Sequence, residues 1–544
     1  MSEKSAQRGW IDAVIFDLVR QLRWSFLPPL MVYFAFGFSG LTGIVGMFFV
    51  KEYLDLTPAE LAALAFWAGL PWALKMPLGH LVDIIWPWKW LLVWLGAALV
   101  AASFLIMYLV IAEREMMEAV LPITSWYIAS FLIAPCGLVI QDAVADAMSV
   151  EVVPKVDDGG RPLDDEELKA QHTTMQTLGR FAVVAGTVAI GAMNIYMFAG
   201  IETLDAQAKA DIYAKIYLFA LFIPLLSVSG VVLAAMQKRM ILRGMSAKGL
   251  SPGDVDALFE GPEERTVPNP WYFIGGGVFV ALTLLIGLGQ VPYGQEIIFA
   301  GSMLVVGFLM RQLIAALDPA QARTLIGTAV IIFVFRAVPL PGDGAMWFNI
   351  DELGFDQQFL SVLSLIGSVL ALVGMVVLRP LMAHLSIVYI VVLLTITSGI
   401  LLLPSIGLYY GIQNITGPLT AGIVDARFIA IIDTAAESPL AQVAMIPMLA
   451  WIARNAPPDL KATFFAVMAS FTNLAMSASS LGTKYLNEVY TITREVRDTA
   501  TGVVTVQADY SQLGWLLITV GGITVGAPLL VVWVVQRSAF RSRD

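Results

Sequence analysis

The sequence predicts an all-α, polytopic membrane protein, and three observations carry that expectation. Of 544 residues, 58% are hydrophobic and 14% charged, with a mean hydropathy of +0.78. A soluble domain carries about 25% charged residues. Apolar runs of about 20 residues, the length a helix needs to cross the hydrocarbon core, recur along the chain. Single ionisable residues interrupt some of these runs: Lys75 within 61–81, and Asp142 with Asp146 within 133–150. A charge at the centre of a membrane helix costs about 2.5–3.5 kcal/mol on insertion scales. A chain that keeps such residues pairs them, hydrates them, or uses them to carry a solute or a proton, so the pattern implies an internal polar path.

Taken in order, residues 1–27 form a cytoplasmic N-terminal segment. Its stretch Trp10 to Leu22 spaces apolar residues three and four apart, as a helix lying on the membrane surface does, although a plain extension fits too. Six spans follow in a bundle over 28–237, at about 28–50, 60–84, 88–111, 122–149, 174–199 and 214–237. Glycines at 37, 40, 43 and 46 leave the first span a broad face for close helix packing. Residues 238–270, rich in charge, Gly and Pro, form a cytoplasmic linker. An apolar pair at about 271–290 and 297–316 makes an inserted hairpin over 271–316. Its polar residues gather at the turn (Gln290, Gln295, Glu296) and at one end (Arg311, Gln312), which suits a lipid-exposed accessory pair with a surface for a protein partner. Six more spans fill 317–536, at about 323–341, 358–378, 384–404, 430–453, 462–486 and 512–536, before a tail at 537–544. The expected total is fourteen spans, arranged as six, two and six.

Lys and Arg gather in the N-terminal segment, the central linker and the C-terminal tail, whereas loop 342–357 holds Asp343, Asp351, Glu352 and Asp356 with no base. That bias places both termini in the cytoplasm and loop 342–357 outside. The expected location is a bacterial inner (plasma) membrane. The acidic loop 151–171 falls on the cytoplasmic side, where acids count for little, and reads as a solvated linker.

The same inventory excludes other classes. One cysteine, Cys136, and three scattered histidines, His80, His172 and His384, match no metal-ligand spacing. The chain has no phosphate-binding Gly-rich Lys loop, no nucleophile elbow and no basic run that would track nucleic acid. Neither an enzyme nor a cofactor is expected.

Several blocks narrow the family. Tyr33-Phe34 and then Pro71-Trp-Ala-Leu-Lys75-Met-Pro-Leu-Gly79-His-Leu-Val-Asp83 resemble the early spans of the folate–biopterin transporter family, within the major facilitator superfamily. Asp142-Ala-Val-Ala-Asp146, followed by Glu151, is similar to that family's fourth-span acidic motif. Asp433, Gln442, Met445-Ile-Pro447 and Ala462 to Asn473 are similar to its tenth and eleventh spans. The chain departs from the usual pattern in three ways: Asp83 is followed by 84–89 with Lys89 as the single base, Lys461 stands where an acid is common, and the hairpin is additional.

The resemblance implies two six-helix bundles with a site between them and a secondary active transporter working by alternating access. A folate- or pteridine-like anion, moved with protons, is the implied solute. The expected solute and proton pathway comprises Lys75, Asp142, Asp146, Arg180, Arg336, Asp433, Gln442 and Asn473, with Gly79 and Asp83 as gating residues. Competing readings stay open for several of these. Lys75 and Asp142 also suit a permanent ion pair, Asp146 a solvated acid, and the two arginines snorkelling to headgroups. Trp67, Trp72 and Phe181 suit either stacking on a flat ring or ordinary packing. The rival functions are proton-coupled export of amphipathic compounds and a non-transporting assembly or pigment-delivery protein.

Overall fold

A computed structural model describes the chain except residues 1–21, 55, 74, 154–164, 248–269, 290, 315–317, 379–385, 441–460, 498–503 and 543–544. The expected surface helix at 10–21, most of the central linker, and Gln442 lie outside the described residues.

The first expected span is interrupted. Helices α1 (Leu27–Phe38) and α2 (Gly43–Tyr53) are joined by a 3-10 turn, Ser39–Thr42. The Ser39 hydroxyl bonds back to the Phe36 carbonyl at 2.6 Å, and such back-bonding bends helices. The glycine face is used unevenly: Gly37 backs directly onto the Val183 backbone, while a Cβ on Gly43 would meet nothing within 4 Å.

Next come α3 (Pro58–Ala73), α4 (Lys75–Ile84), α5 (Trp90–Ala112), the short α6 (Arg114–Glu118), α7 (Ile123–Glu151), α8 (Asp165–Met197), α9 (Ala206–Ala220) and α10 (Phe222–Ala247). Pro224 has no N–H to give the Ala220 carbonyl, which accounts for the change from α9 to α10 at Leu221. Helix α5 packs along α7, and α1 against α8 and α10. A Cβ on Gly96 would stand 2.6 Å from the Gly137 carbonyl oxygen, so α5 and α7 meet backbone to backbone.

The hairpin is α11 (Pro270–Leu288) and α12 (Gly294–Ile314). The C-terminal half follows as α13 (Pro319–Arg336), α14 (Asp343–Asp351), α15 (Gln357–Val377), α16 (Ile387–Tyr409), α17 (Gln413–Leu419), α18 (Ala426–Glu437), α19 (Lys461–Val489) and α20 (Leu513–Gln536). Asp318, Asp356, Ser386 and Asp425 cap the starts of α13, α15, α16 and α18 through their side-chain oxygens. Ahead of α20 lies a ribbon that the periodicity did not announce, β1 (Val496–Arg497) antiparallel to β2 (Val504–Val506). The acidic loop at 342–357 is also partly helical, as α14.

Among the described residues, nine stretches are long and apolar enough to cross a bilayer: 24–53, 58–82, 90–112, 123–149, 177–197, 206–240, 357–375, 387–409 and 513–536. Each coincides with an expected span. The hairpin contributes two shorter apolar helices, Ile274–Gly287 and Gly294–Phe308. The remaining expected spans fall on α13, on α18 with residues beyond it, and on α19, which carries Lys461, Lys484 and Glu488.

The two halves meet along two seams, α3 with α19 and α8 with α15. The hairpin lies across the first of these. Its outward residues, among them Leu285, Leu304 and Phe308, are exposed as lipid-facing residues should be. At its turn the pair is also held to both halves. Gln295 donates to the Ala63 carbonyl on α3 at 3.0 Å, while Glu296 pairs with Lys484 on α19 at 3.3 Å and accepts from Tyr485. Polar residues at an apolar turn find partners only by reaching across to the neighbouring helices, which fixes their placement here.

Candidate functional site

Helix α7 places Asp142 and Asp146 four residues apart, hence on one face. That face meets α4, whose first residue is Lys75. The lysine ammonium lies 2.5 Å from Asp142 Oδ2 and 2.7 Å from Asp146 Oδ2. From α1, the Tyr33 hydroxyl donates to Asp146 Oδ1 at 2.7 Å. Three helices thus converge on one cluster of a cation, two carboxylates and a phenol. The Lys75 and Asp142 side chains are 28% and 15% exposed and Asp146 is 44% exposed, so the cluster is only partly buried. Asp146 is half of a carboxylate pair sharing Lys75 and is at the same time partly exposed, so the ion pair and the solvated reading both describe it in part.

Tyr33 was visible in the sequence only as part of a motif. Its place depends on α8, where Gly179 leaves room for the ring; a Cβ there would lie 2.9 Å from Tyr33 Cε2. Arg180, the next residue on α8, is exposed beside this packing. Gly79, one turn beyond Lys75, faces open space, with nothing within 4 Å of a built Cβ. Asp83 lies at the end of α4, but its side chain is outside the described residues.

The other expected residues that are described, Asn473, Arg336 and Asp433, stand in the C-terminal half and do not join the cluster. Asn473 on α19 donates to the Trp72 carbonyl at 3.3 Å, bridging the α3–α19 seam three residues before Lys75. Arg336, the last residue of α13, has Nη2 3.1 Å from the Met476 sulfur on α19. Asp433 on α18 has Ser405 Oγ 3.5 Å from its Oδ2. Trp72 packs edge-on against Phe36, while Trp67 packs against Gly287 of the hairpin and so is a packing residue.

A second polar group, which no motif signalled, joins the two halves at the face bearing α14. Lys51, at the end of α2, pairs with Asp351 of α14, and Tyr510 donates to the same carboxylate at 2.5 Å. Burial and the bond to Asp351 push the Tyr510 phenol above its ordinary pKa, so it stays a donor. Arg494 donates to the Lys51 carbonyl, and Gln357 on α15 donates to the Tyr213 hydroxyl on α9 at 2.7 Å. Apolar packing surrounds these contacts, with Phe48, Phe198 and Tyr213 from one half and Trp347, Phe359 and Leu513 from the other in a single core. The one available signal was compositional: four acids and no base in 342–357, with Lys51 at the matching end of the first span.

The structure thus holds a polar cluster within one half, two seams between the halves and a clasp at one face. The model of the BT1 family matches residues 173–542. The chain belongs to the BT1 family. A folate-biopterin transporter of Synechocystis sp. is 23% identical over 456 residues, which is 83% of this chain and 72% of that relative. Among solved structures, a POT family transporter in complex with 5-aminolevulinic acid superposes with TM-score 0.60 at 12% identity, covering 93% of this chain and 95% of that one. A mutant form of the nucleoside transporter NupG gives TM-score 0.54 at 10% identity, covering 94% and 98%. At such identity these two likenesses show the fold alone, and it is the expected major-facilitator-like fold. This BT1-family protein is an integral membrane transporter and not an enzyme.

Proposed function

We propose that this transporter carries a small organic anion of the folate or pteridine class by alternating access, coupled to protons, with the Lys75 cluster as its anion site. The carrying observation is Lys75 shared between Asp142 and Asp146. One cation against two carboxylates leaves the cluster one negative charge in excess. A carboxylate arriving on the solute competes for the same ammonium, and taking it releases an aspartate from its partner. The released aspartate restores the original excess of one negative charge by taking a proton, so the solute-bound arrangement ties the arrival of the anion to the uptake of a proton. A permanent structural pair has no need of a second carboxylate. The similarity to the folate-biopterin transporter of Synechocystis supports the solute class. We further propose fourteen spans with both termini cytoplasmic, so that the Lys51–Asp351 clasp closes the outer mouth.

The test is uptake of labelled folic acid and biopterin into proteoliposomes, with and without an imposed pH gradient, for the parent, Lys75→Met, Asp142→Asn and the double variant. The parent accumulates one of the two solutes, and each single variant loses about tenfold or more in uptake, since breaking a buried pair costs several kcal/mol. A double variant that folds and transports like the parent would reduce the cluster to a structural pair.

A further inference from the structure

Both carboxylates of the Lys75 cluster have a base. Among the described residues, a different acid has none. Asp433 lies seven residues into α18, about 10 Å along the helix at 1.5 Å per residue. Its Oδ1 is buried with no hydrogen-bond partner, and its Oδ2 has only the Ser405 hydroxyl at 3.5 Å.

The neighbourhood explains why. Among the described residues, the main elements packed on α18 are α15, α16 and the turn Ser438–Leu440. None of them carries an acidic or basic side chain. The titratable groups on α16 are Tyr389 at its far end and Tyr409, whose hydroxyl is already donated to the Tyr510 and Ser511 carbonyls at 3.0 and 3.1 Å. On α18 itself, Arg427 is held by Asp356 at 2.9 Å and the Gly354 carbonyl at 3.0 Å, about two turns before Asp433. The remaining charge is Glu437, one turn further on and exposed. Among the described residues, then, Asp433 faces a second acid and no cation.

A carboxylate oxygen buried without a donor is costly, and within a membrane protein the cost is removed by taking a proton. The Asp142 and Asp146 carboxylates need no such relief because Lys75 supplies it. We infer that Asp433 is a proton-binding site in the C-terminal half, separate from the anion cluster in the N-terminal half, and that the exposed carboxylate of Glu437 connects it to water. The proton bound on Asp433 comes from water on one side of the membrane. It leaves through Glu437 or directly when the halves rearrange, returning the carboxylate. The inference deepens the proposed transport function and rests on it only for the coupling, because the binding of the proton itself needs no solute.

Two measurements separate these parts. In the first, the purified parent and Asp433→Asn are titrated in weakly buffered detergent with a pH-indicating dye and no solute. Between about pH 8 and pH 5, above the range in which an ordinary aspartate titrates, the parent binds most of one proton per molecule more than the variant, and equal counts in that window overturn the inference. In the second, labelled folic acid is followed in proteoliposomes as equilibrium exchange and as pH-gradient-driven accumulation. Asp433→Asn keeps exchange within about twofold of the parent while accumulation falls about tenfold or more, and Asp433→Glu restores accumulation. An Asn variant that still accumulates, or one that is well folded but loses exchange and accumulation together, overturns the inference by making Asp433 idle or part of the solute site. If the parent shows the extra proton but never moves folic acid, the proton site stands and the solute assignment fails.

Discussion

Asp351→Asn should open the closed face of the protein. The Asp351 carboxylate takes the Lys51 ammonium and the Tyr510 hydroxyl, and the Lys51 and Asp351 side chains are only 12% and 22% exposed. A hydrogen bond to a charged group contributes about 1.5–3 kcal/mol when water does not compete freely. Lys51 and Asp351 belong to different halves, so their pairing exists only while the face is closed, and its loss acts on that equilibrium. The expected shift in the open-to-closed ratio is about ten- to a hundred-fold. Spin labels on Val120→Cys, in the loop after α6, and Leu419→Cys, at the end of α17, both strongly exposed, report the distance between halves at this face. Cys136, the single native cysteine, is first replaced by Ser. Electron–electron resonance should show a longer-distance population growing in Asp351→Asn. Lys51→Met should show the same shift, and the double variant no more than either single one, as expected for groups acting through one contact. An unchanged distance distribution in both single variants would refute the clasp as a determinant of closure and leave the surrounding apolar core as the whole of it.

Two further outcomes are expected. Gln295→Leu removes the bond from the hairpin turn to the Ala63 carbonyl, worth about 1 kcal/mol, and should raise the open population about fivefold with the same labels; no change would leave the hairpin a passenger on the C-terminal half. Gly96→Leu forces a side chain into the α5–α7 contact, where even a Cβ meets the Gly137 carbonyl at 2.6 Å. The thermal midpoint in detergent should fall by several degrees, from overpacking that costs about 1–3 kcal/mol, and an unaltered midpoint would show that the two helices can part there.

Helix positions were legible because lipid leaves little choice: an apolar run of the right length is a span, and nine described stretches fall where the runs do. The Lys75–Asp142 pairing was legible for the same reason, since a charge in an apolar run demands a partner. Tyr33 was not, because a tyrosine in a membrane helix is unremarkable until the opposing helix is known to carry Gly179. The clasp was hidden for a different reason. Lys51, Asp351 and Tyr510 sit in polar loop-proximal segments where charge needs no explanation, and their meeting is a property of the tertiary fold across 300 residues of sequence. The hairpin's bridging role was concealed because Gln295 and Glu296 are what any membrane turn would carry; which carbonyl or lysine they reach depends on the seam beneath them.

The distribution of these contacts constrains how such a protein can move its solute. Among the described residues, the groups that cross between halves at the closed face include the Lys51–Asp351 ion pair, a few hydrogen bonds and an apolar core that both halves share. The groups within each half are of another kind: α1, α4 and α7 meet at a charge cluster, and α5 meets α7 backbone to backbone. Opening the face therefore breaks contacts that re-form in seconds or less, while each half keeps its own packing. A solute shifts such an equilibrium only by binding one state more tightly than the other, and moving it from 1:99 to 99:1 needs about 5.5 kcal/mol of difference. A clasp of a single ion pair, about 1.5–3 kcal/mol, keeps the closing term inside what one charged solute can supply. A buried network of several ion pairs across the same seam would lock the closed state beyond the reach of a small anion. If the proposed alternating access holds, adding a second inter-half ion pair at this face should slow transport without weakening solute binding to the state that remains accessible.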